Sequence, residues 1–124
     1  MITYQTAFQG ELIVLGSYVL FLLLIPRVTT KVFGLAEDAT TFWPRVLGAG
    51  ALGILIGVVA HDQGWTKSGI GMGGCVAINL TLAVLLALMM VIGPKMPTPR
   101  GTATIWGMAA SHAILGFVQI AFAA

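Results

Sequence analysis

Four apolar stretches alternate with short polar breaks along the chain, at about residues 6–26, 42–60, 70–92 and 102–122. The third is the longest: the uncharged run from Ser68 to Pro94 contains Ile70–Ile92, with an unbroken apolar core over Leu82–Ile92 and Asn79 as its only strongly polar side chain. At about 1.5 Å per residue such a helix rises roughly 34 Å, more than the roughly 30 Å of a bilayer's hydrocarbon layer. An amide at mid-membrane has nothing to bond in lipid, so this helix requires protein neighbours. The pattern predicts an all-α protein, an integral membrane four-helix bundle formed by a single domain over residues 1–124.

The breaks set the expected boundaries. Leu12–Pro26 supplies only fifteen uncharged residues, short of the roughly 20 that a span needs. The first helix is therefore expected to begin near Thr6 and to carry Glu11 in its early turns, where the macrodipole favours an acid. It is expected to end at Ile25-Pro26-Arg27. Val28–Thr41 mixes Val28, Val32, Phe33 and Leu35 with Lys31, Glu37 and Asp38 and predicts a piece lying along the interface. Asp38, Thr40 or Thr41 is the expected N-cap of the second span, Phe42–Ala60, with Pro44 in its first turn and His61-Asp62 at its exit. Pro94, Pro97 and Pro99 break the chain before the fourth span. No Lys or Arg precedes the first apolar stretch, so it is expected to be retained and not removed as a secretory signal.

Composition narrows the class. The chain is 58% hydrophobic and 8% charged, whereas about a quarter of the residues in a soluble domain are charged. The net charge of +2 arises from six Lys/Arg against four Asp/Glu, which gives no basic surface for nucleic acid. One cysteine, Cys75, rules out an intramolecular disulfide and reads as a small packing residue. Arg27, Lys31, Arg45, Lys95 and Arg100 fall on one side of a four-span topology and only Lys67 on the other. By the positive-inside rule the richer side is cytoplasmic, so both termini are expected on the non-cytoplasmic side of what reads as a bacterial inner (cytoplasmic) membrane. Trp43 and Trp106 then mark the cytoplasmic interface, and Tyr4 and Trp65 the outer one.

Helix association in lipid depends on close backbone approach and polar contacts. Ala49, Gly53 and Gly57 recur at steps of four on the second span, Gly69, Gly73, Ala77 and Thr81 on the third, and Ala103, Gly107 and Ser111 on the fourth. These grooves are expected to close the bundle, or in part to face another membrane protein subunit or a flat ligand such as a lipid, quinone or carotenoid. His112 and Gln119 lie seven apart on one face, with Gly116 between them, and His112 and Asn79 both fall near mid-membrane by residue count. The three are expected to form an interhelical polar contact, with ligand binding as the alternative. Glu11 shares a face with Tyr18, seven residues on. Its place near the outer end predicts a headgroup-level acid in an outer polar cluster with His61 and Asp62. An embedded acid on a first helix resembles the coupling group of small multidrug-resistance transporters. No metal-ligand spacing, GxSxG, HExxH, CxxC or P-loop occurs, and Gly69–Gly74 lacks the strand and Lys-Ser/Thr of a phosphate cradle. A haem shared by His61 and His112 would have to bridge a vertical gap of about 12 Å.

Phe42-Trp43-Pro44-Arg45, followed by Gly48, Gly50, Gly53 and Gly57, resembles the second helix of small four-span DoxX-like membrane proteins, where an aromatic, an Arg and spaced glycines recur. That resemblance implies an accessory role in a membrane redox system and assigns no catalytic residue. The expected function is a non-catalytic membrane accessory subunit with no cofactor of its own, within a respiratory or photosynthetic complex and in contact with lipids and other subunits. The alternatives are a homo-oligomeric transporter coupled through Glu11, or a quinone-, pigment- or haem-binding redox protein centred on His112. The topology has a direct check: a membrane-impermeant maleimide should label Gln63→Cys in intact cells and should reach Lys95→Cys only after permeabilisation. The reverse pattern would invert the orientation.

Overall fold

The computed structural model describes residues 2–36, 41–65, 69–93 and 96–123, and among these every regular element is helical. Helix α1, Tyr4–Tyr18, starts where extended Thr3 accepts the Thr6 N–H on its hydroxyl oxygen at 3.2 Å. It continues as a π-helical stretch, Val19–Leu24. The wider turn shows at Ile25, whose N–H reaches Leu20 O, five residues back, at 3.3 Å. The Thr29 hydroxyl meets the Phe21 carbonyl at 2.5 Å, supplying a donor where the ladder has loosened. Pro26, which has no N–H to give, opens α2, Pro26–Phe33, and Gly34 ends it in the left-handed region at φ 65°. The first long helix thus stops at Leu24, before the expected Pro26, and the segment expected along the interface takes Pro26 as its own first residue. Pro26, Thr29 and Thr30 face inward, while Arg27, Val28, Lys31 and Val32 are exposed.

Helix α3 spans Phe42–Asp62, so His61 and Asp62 belong to its last turn and do not lie beyond it. Thr41 precedes it with φ 56° and no capping bond from its side chain; the other cap candidates, Asp38 and Thr40, lie outside the described residues. Helix α4 is Met72–Ile92, and α5 is Pro99–Ile120, capped by the Thr98 hydroxyl oxygen accepting the Gly101 N–H at 2.9 Å. The first helix with its π-helical stretch, α3, α4 and α5 are each long and apolar enough to cross a membrane.

The long helices alternate in direction. Tyr4 stacks edge-on against Phe122 with ring centroids 6.3 Å apart, and it also lies beside Asp62, which gathers the start of α1 with the ends of α3 and α5. At the opposite end the Thr98 hydroxyl donates to Gly34 O at 2.7 Å and the Arg100 guanidinium to Val32 O at 2.9 Å, binding α2 to the start of α5. The start of α1 and the end of α5 therefore share one end of the bundle. Helices α4 and α5 make the most extensive contact, and α1 packs on α3 and α5. Ala7, Leu15, Ala51, Val58, Met72 and Cys75 form one apolar cluster where α1, α3 and α4 meet.

The small-residue stripes do not close this bundle. Ala49 and Gly53 on α3, Gly73, Ala77 and Thr81 on α4, and Ala103, Gly107 and Ser111 on α5 are all exposed. A Cβ at Gly53 or Gly107 would meet nothing within 4 Å, while Gly57 is half-buried under Ile70 and Gly69 packs against α3, where a Cβ would lie 2.8 Å from Gly57 O. The expectation that Ala49, Gly53, Gly73, Ala77, Gly107 and Ser111 pack the helices together is thus corrected. The buried faces are Gly48, Ala51 and Val58 on α3, Met72, Cys75, Asn79 and Ala83 on α4, and Ala109, His112, Gly116 and Gln119 on α5. One residue of offset turns a helix face by about 100°, and two by about 200°. Burying Asn79, His112 and Gln119 therefore turns the neighbouring small residues outward.

Other glycines do serve internal packing, Gly48 and Gly116 between the long helices and Gly69 and Gly101 at their ends. A Cβ at Gly48 would lie 2.6 Å from Leu23 N and 2.9 Å from Leu23 Cα, where backbone cannot yield. At Gly116 it would lie 2.8 Å from a Leu80 methyl and 3.4 Å from Asn79 Cβ. Gly48→Ala should destabilise the bundle by about 1–3 kcal/mol through overpacking. Gly53→Ala should be neutral or gain up to ~1 kcal/mol of helix propensity. Thermal unfolding of the two variants in the same detergent checks the contrast, and equal midpoints would contradict the packing assigned to Gly48.

Candidate functional site

Ala7, Glu11, Leu15 and Tyr18 recur along α1 at the spacing of one helical face. That face meets the faces carrying Asn79 on α4 and His112 and Gln119 on α5. The four largest fully buried side chains of this apolar protein are His112, Gln119, Glu11 and Asn79, each at most 1% exposed. Ile13, Val91, Ile92 and Phe117 are instead among the exposed large apolar residues. Polar groups inside and apolar ones outside is the arrangement that a lipid solvent favours.

The buried groups form one connected network. Asn79 Nδ2 donates to Glu11 Oε2 at 2.6 Å and to Gln119 Oε1 at 3.0 Å. Gln119 Nε2 donates to the same carboxyl oxygen at 2.7 Å. His112 Nδ1 lies 2.5 Å from Asn79 Oδ1, and because a carbonyl oxygen only accepts, Nδ1 carries the hydrogen. His112 Nε2 then faces the Tyr18 hydroxyl at 2.7 Å, with the two rings edge-on and their centroids 5.4 Å apart. Among the described residues no buried side-chain nitrogen or oxygen lacks a hydrogen-bond partner. Asn79 is the hub, touching the acid, the amide and the imidazole at once. Gly116, between His112 and Gln119, permits the approach of α5 to α4 that these bonds require.

The structure therefore joins Asn79, His112 and Gln119 to each other, and it separates the outer group. Glu11 is 1% exposed and bonded to Asn79 and Gln119, whereas His61 and Asp62 are exposed on the last turn of α3. An outer cluster of Glu11, His61 and Asp62 is not formed. Counting depth from the chain end placed Glu11 too near the surface, because α1 begins already at Tyr4 and turns its acid inward. His61 instead packs on the turn before α4, where a Cβ at Gly71 would lie 3.0 Å from His61 Nε2. Asp62 accepts from Gln63 Nε2 at 3.2 Å. Tyr18 is the member of the network that sequence reasoning did not place in the site. Its signal was the seven-residue interval Glu11–Tyr18, which repeats the interval His112–Gln119 on a second helix.

Chemically, the network offers a carboxyl, an imidazole and a phenol on one bonded path through two amides. Among the described residues no group of three or more His, Cys, Asp or Glu is placed to hold a metal ion. Apart from this centre, an apolar groove of about 340 Å³ runs along the outer surface between α1 and α5, lined in part by Ala7, Gly10, Ile13, Ser111, Leu115 and Val118. No protein-family model, curated protein or solved structure matches the chain.

If Asn79 is the hub, its loss should exceed that of any single peripheral bond. Asn79→Leu strands Glu11, Gln119 and His112 together and should cost about 3–5 kcal/mol, as several buried polar groups are left unsatisfied at about 1–3 kcal/mol each. Tyr18→Phe, losing one bond, should cost about 0.6–2 kcal/mol. A double-mutant cycle of Asn79→Leu with His112→Phe, read by chemical unfolding in micelles, should show strong non-additivity. Simple addition would mean that the two side chains do not interact.

Proposed function

We propose that the protein is a non-catalytic integral membrane subunit that packs laterally against the helices of a larger membrane complex, of respiratory or photosynthetic type, in a bacterial cytoplasmic membrane. The observation that carries this reading is the outward placement of small residues on three helices: Ala49 and Gly53, Gly73 and Ala77, and Gly107 and Ser111. In lipid, small residues permit backbones to approach closely and so favour helix association. On this protein they lie on faces that its own helices leave uncovered. The groove between α1 and α5, with Ser111 in its lining, extends one of those faces.

The core supports the same reading from inside. Its polar side chains use their hydrogen bonds on one another, as befits a lock that fixes helix rotation. Arg27, Lys31, Arg45 and Arg100 belong to α2 and to the first turns of α3 and α5, at the end opposite the chain termini. That end is the cytoplasmic one by the positive-inside rule; Lys67 and Lys95 lie outside the described residues. The resemblance of the Phe42–Gly57 stretch to DoxX-like proteins is consistent with an accessory role.

Purification from native membranes in mild detergent tests the proposal. The wild-type chain should co-migrate with partner subunits, and at least one of Gly53→Leu, Ala77→Leu and Gly107→Leu should release it. The isolated protein's stability should change by no more than ~0.5 kcal/mol, as expected for substitutions facing away from the core. Recovery of the wild type as a free monomer would contradict the proposal, as would co-migration unaffected by all three substitutions.

A further inference from the structure

The assembly reading leaves the acid and the imidazole at the centre unused, and their surroundings constrain what they carry. Glu11 and Tyr18 face the network from α1, Cys75 and Asn79 from α4, and His112 and Gln119 from α5. Helix α3 turns Gly48, Ala51 and Val58 inward and has no titratable side chain between Arg45 in its first turn and His61 in its last. The six Lys and Arg residues stand at 27, 31, 45, 67, 95 and 100, so none lies on Tyr4–Leu24 or on Met72–Ile92. Arg100 opens α5 twelve residues before His112, about 18 Å along the axis. Among the described residues no Lys or Arg is therefore beside Glu11, and an unpaired carboxylate in so apolar a setting is disfavoured by the loss of its hydration, which two amide donors offset only in part.

We propose that Glu11, Asn79, Gln119, His112 and Tyr18 form a membrane-buried proton-binding site that holds one exchangeable proton, carried by Glu11 or by His112. Two arrangements keep the network free of net charge, and both retain the contacts of His112 with Asn79 and Tyr18. In one, Glu11 is a carboxylic acid and His112 is neutral: Nδ1–H donates to Asn79 Oδ1, and Nε2 accepts the Tyr18 hydroxyl hydrogen. In the other, Glu11 is a carboxylate accepting from Asn79 Nδ2 and Gln119 Nε2, and His112 is an imidazolium whose Nε2–H donates to the Tyr18 oxygen. Conversion breaks one O–H bond at Glu11 and forms one N–H bond at His112 Nε2, with the number of protons conserved. Asn79 keeps the same bonds in both states. The site is independent of the outward faces, and its failure would leave the assembly reading standing.

The test uses the wild-type protein in lipid nanodiscs at neutral pH. Infrared spectroscopy reads the C=O stretch of a protonated buried carboxyl, identified by its disappearance in Glu11→Gln, and 15N NMR reads the two ring nitrogens of His112. A protonated carboxyl with a bare His112 Nε2, or an ionised carboxyl with both ring nitrogens protonated, supports the proposal. An ionised carboxyl beside a bare Nε2, or a protonated carboxyl beside an imidazolium, overturns it, because the site would then hold no proton or two. Glu11→Gln removes the acid, so His112 should be left with a bare Nε2 across the neutral range; an imidazolium persisting in that variant would also contradict the pairing. Should Glu11→Gln fail to fold, Glu11 can be identified by residue-specific isotope labelling of the wild type, which leaves the same four outcomes readable.

Discussion

A polar side chain buried among apolar helices has no water to bond, and this constraint organises the protein. Glu11, Asn79, His112 and Gln119 are buried on three largely apolar helices, and they are satisfied by one another and by the Tyr18 hydroxyl. An evenly apolar helix has little preferred rotation about its own axis. The polar contacts supply it: once Asn79 points at Glu11, α4 has one orientation, and Gln119 and His112 fix α5 in the same way. Leu15, Cys75, Ala83 and Ala109 then fill the layers around the network.

What the network turns inward, it also turns outward. Because Asn79, His112 and Gln119 occupy the contact faces of α4 and α5, the four-residue stripes on those helices look away from the bundle. Close approach inside the protein depends on other glycines. Gly48 lets α3 touch the backbone of Leu23, where the first helix widens into a π-turn, and Gly116 admits α5 to Asn79. The Thr29 hydroxyl on the Phe21 carbonyl, and Thr98 and Arg100 on the carbonyls of Gly34 and Val32, tie the short α2 to the bundle end. The protein thus has a closed polar centre, a basic rim at one end and three small-residue faces on its perimeter.

Much of this was legible in the residues. Length and hydropathy delimit the four helices long and apolar enough to cross a membrane, because a backbone crossing lipid must form helices of known length. The interfacial piece expected over Val28–Thr41 is in the structure a helix that begins two residues earlier, at Pro26, and ends at Phe33. Asn79 and His112 fall at similar depth on a residue count, and the structure has their side chains in contact. Two things were not legible. The depth of Glu11 depends on where α1 begins, and a helix capped by Thr3 carries the acid deeper than one starting near Thr6. The direction of the glycine stripes is the other: spacing by four marks a face that can approach a neighbour, whether or not the neighbour belongs to the same chain. Only the polar residues one or two positions away decide that, and their pairing is a tertiary fact.

The central claim is that the acid of α1 is bonded to the amide of α4 inside the bundle. Through-space 13C–15N correlation by solid-state NMR, in lipid bilayers, measures it most directly with the Glu11 carboxyl carbon and the Asn79 side-chain nitrogen labelled. The structure, with Asn79 Nδ2 2.6 Å from Glu11 Oε2, predicts a strong cross-peak that persists when the sample is exchanged into deuterated water. A Glu11 carboxyl that correlates with water or lipid headgroups and shows no contact to Asn79 would contradict the account.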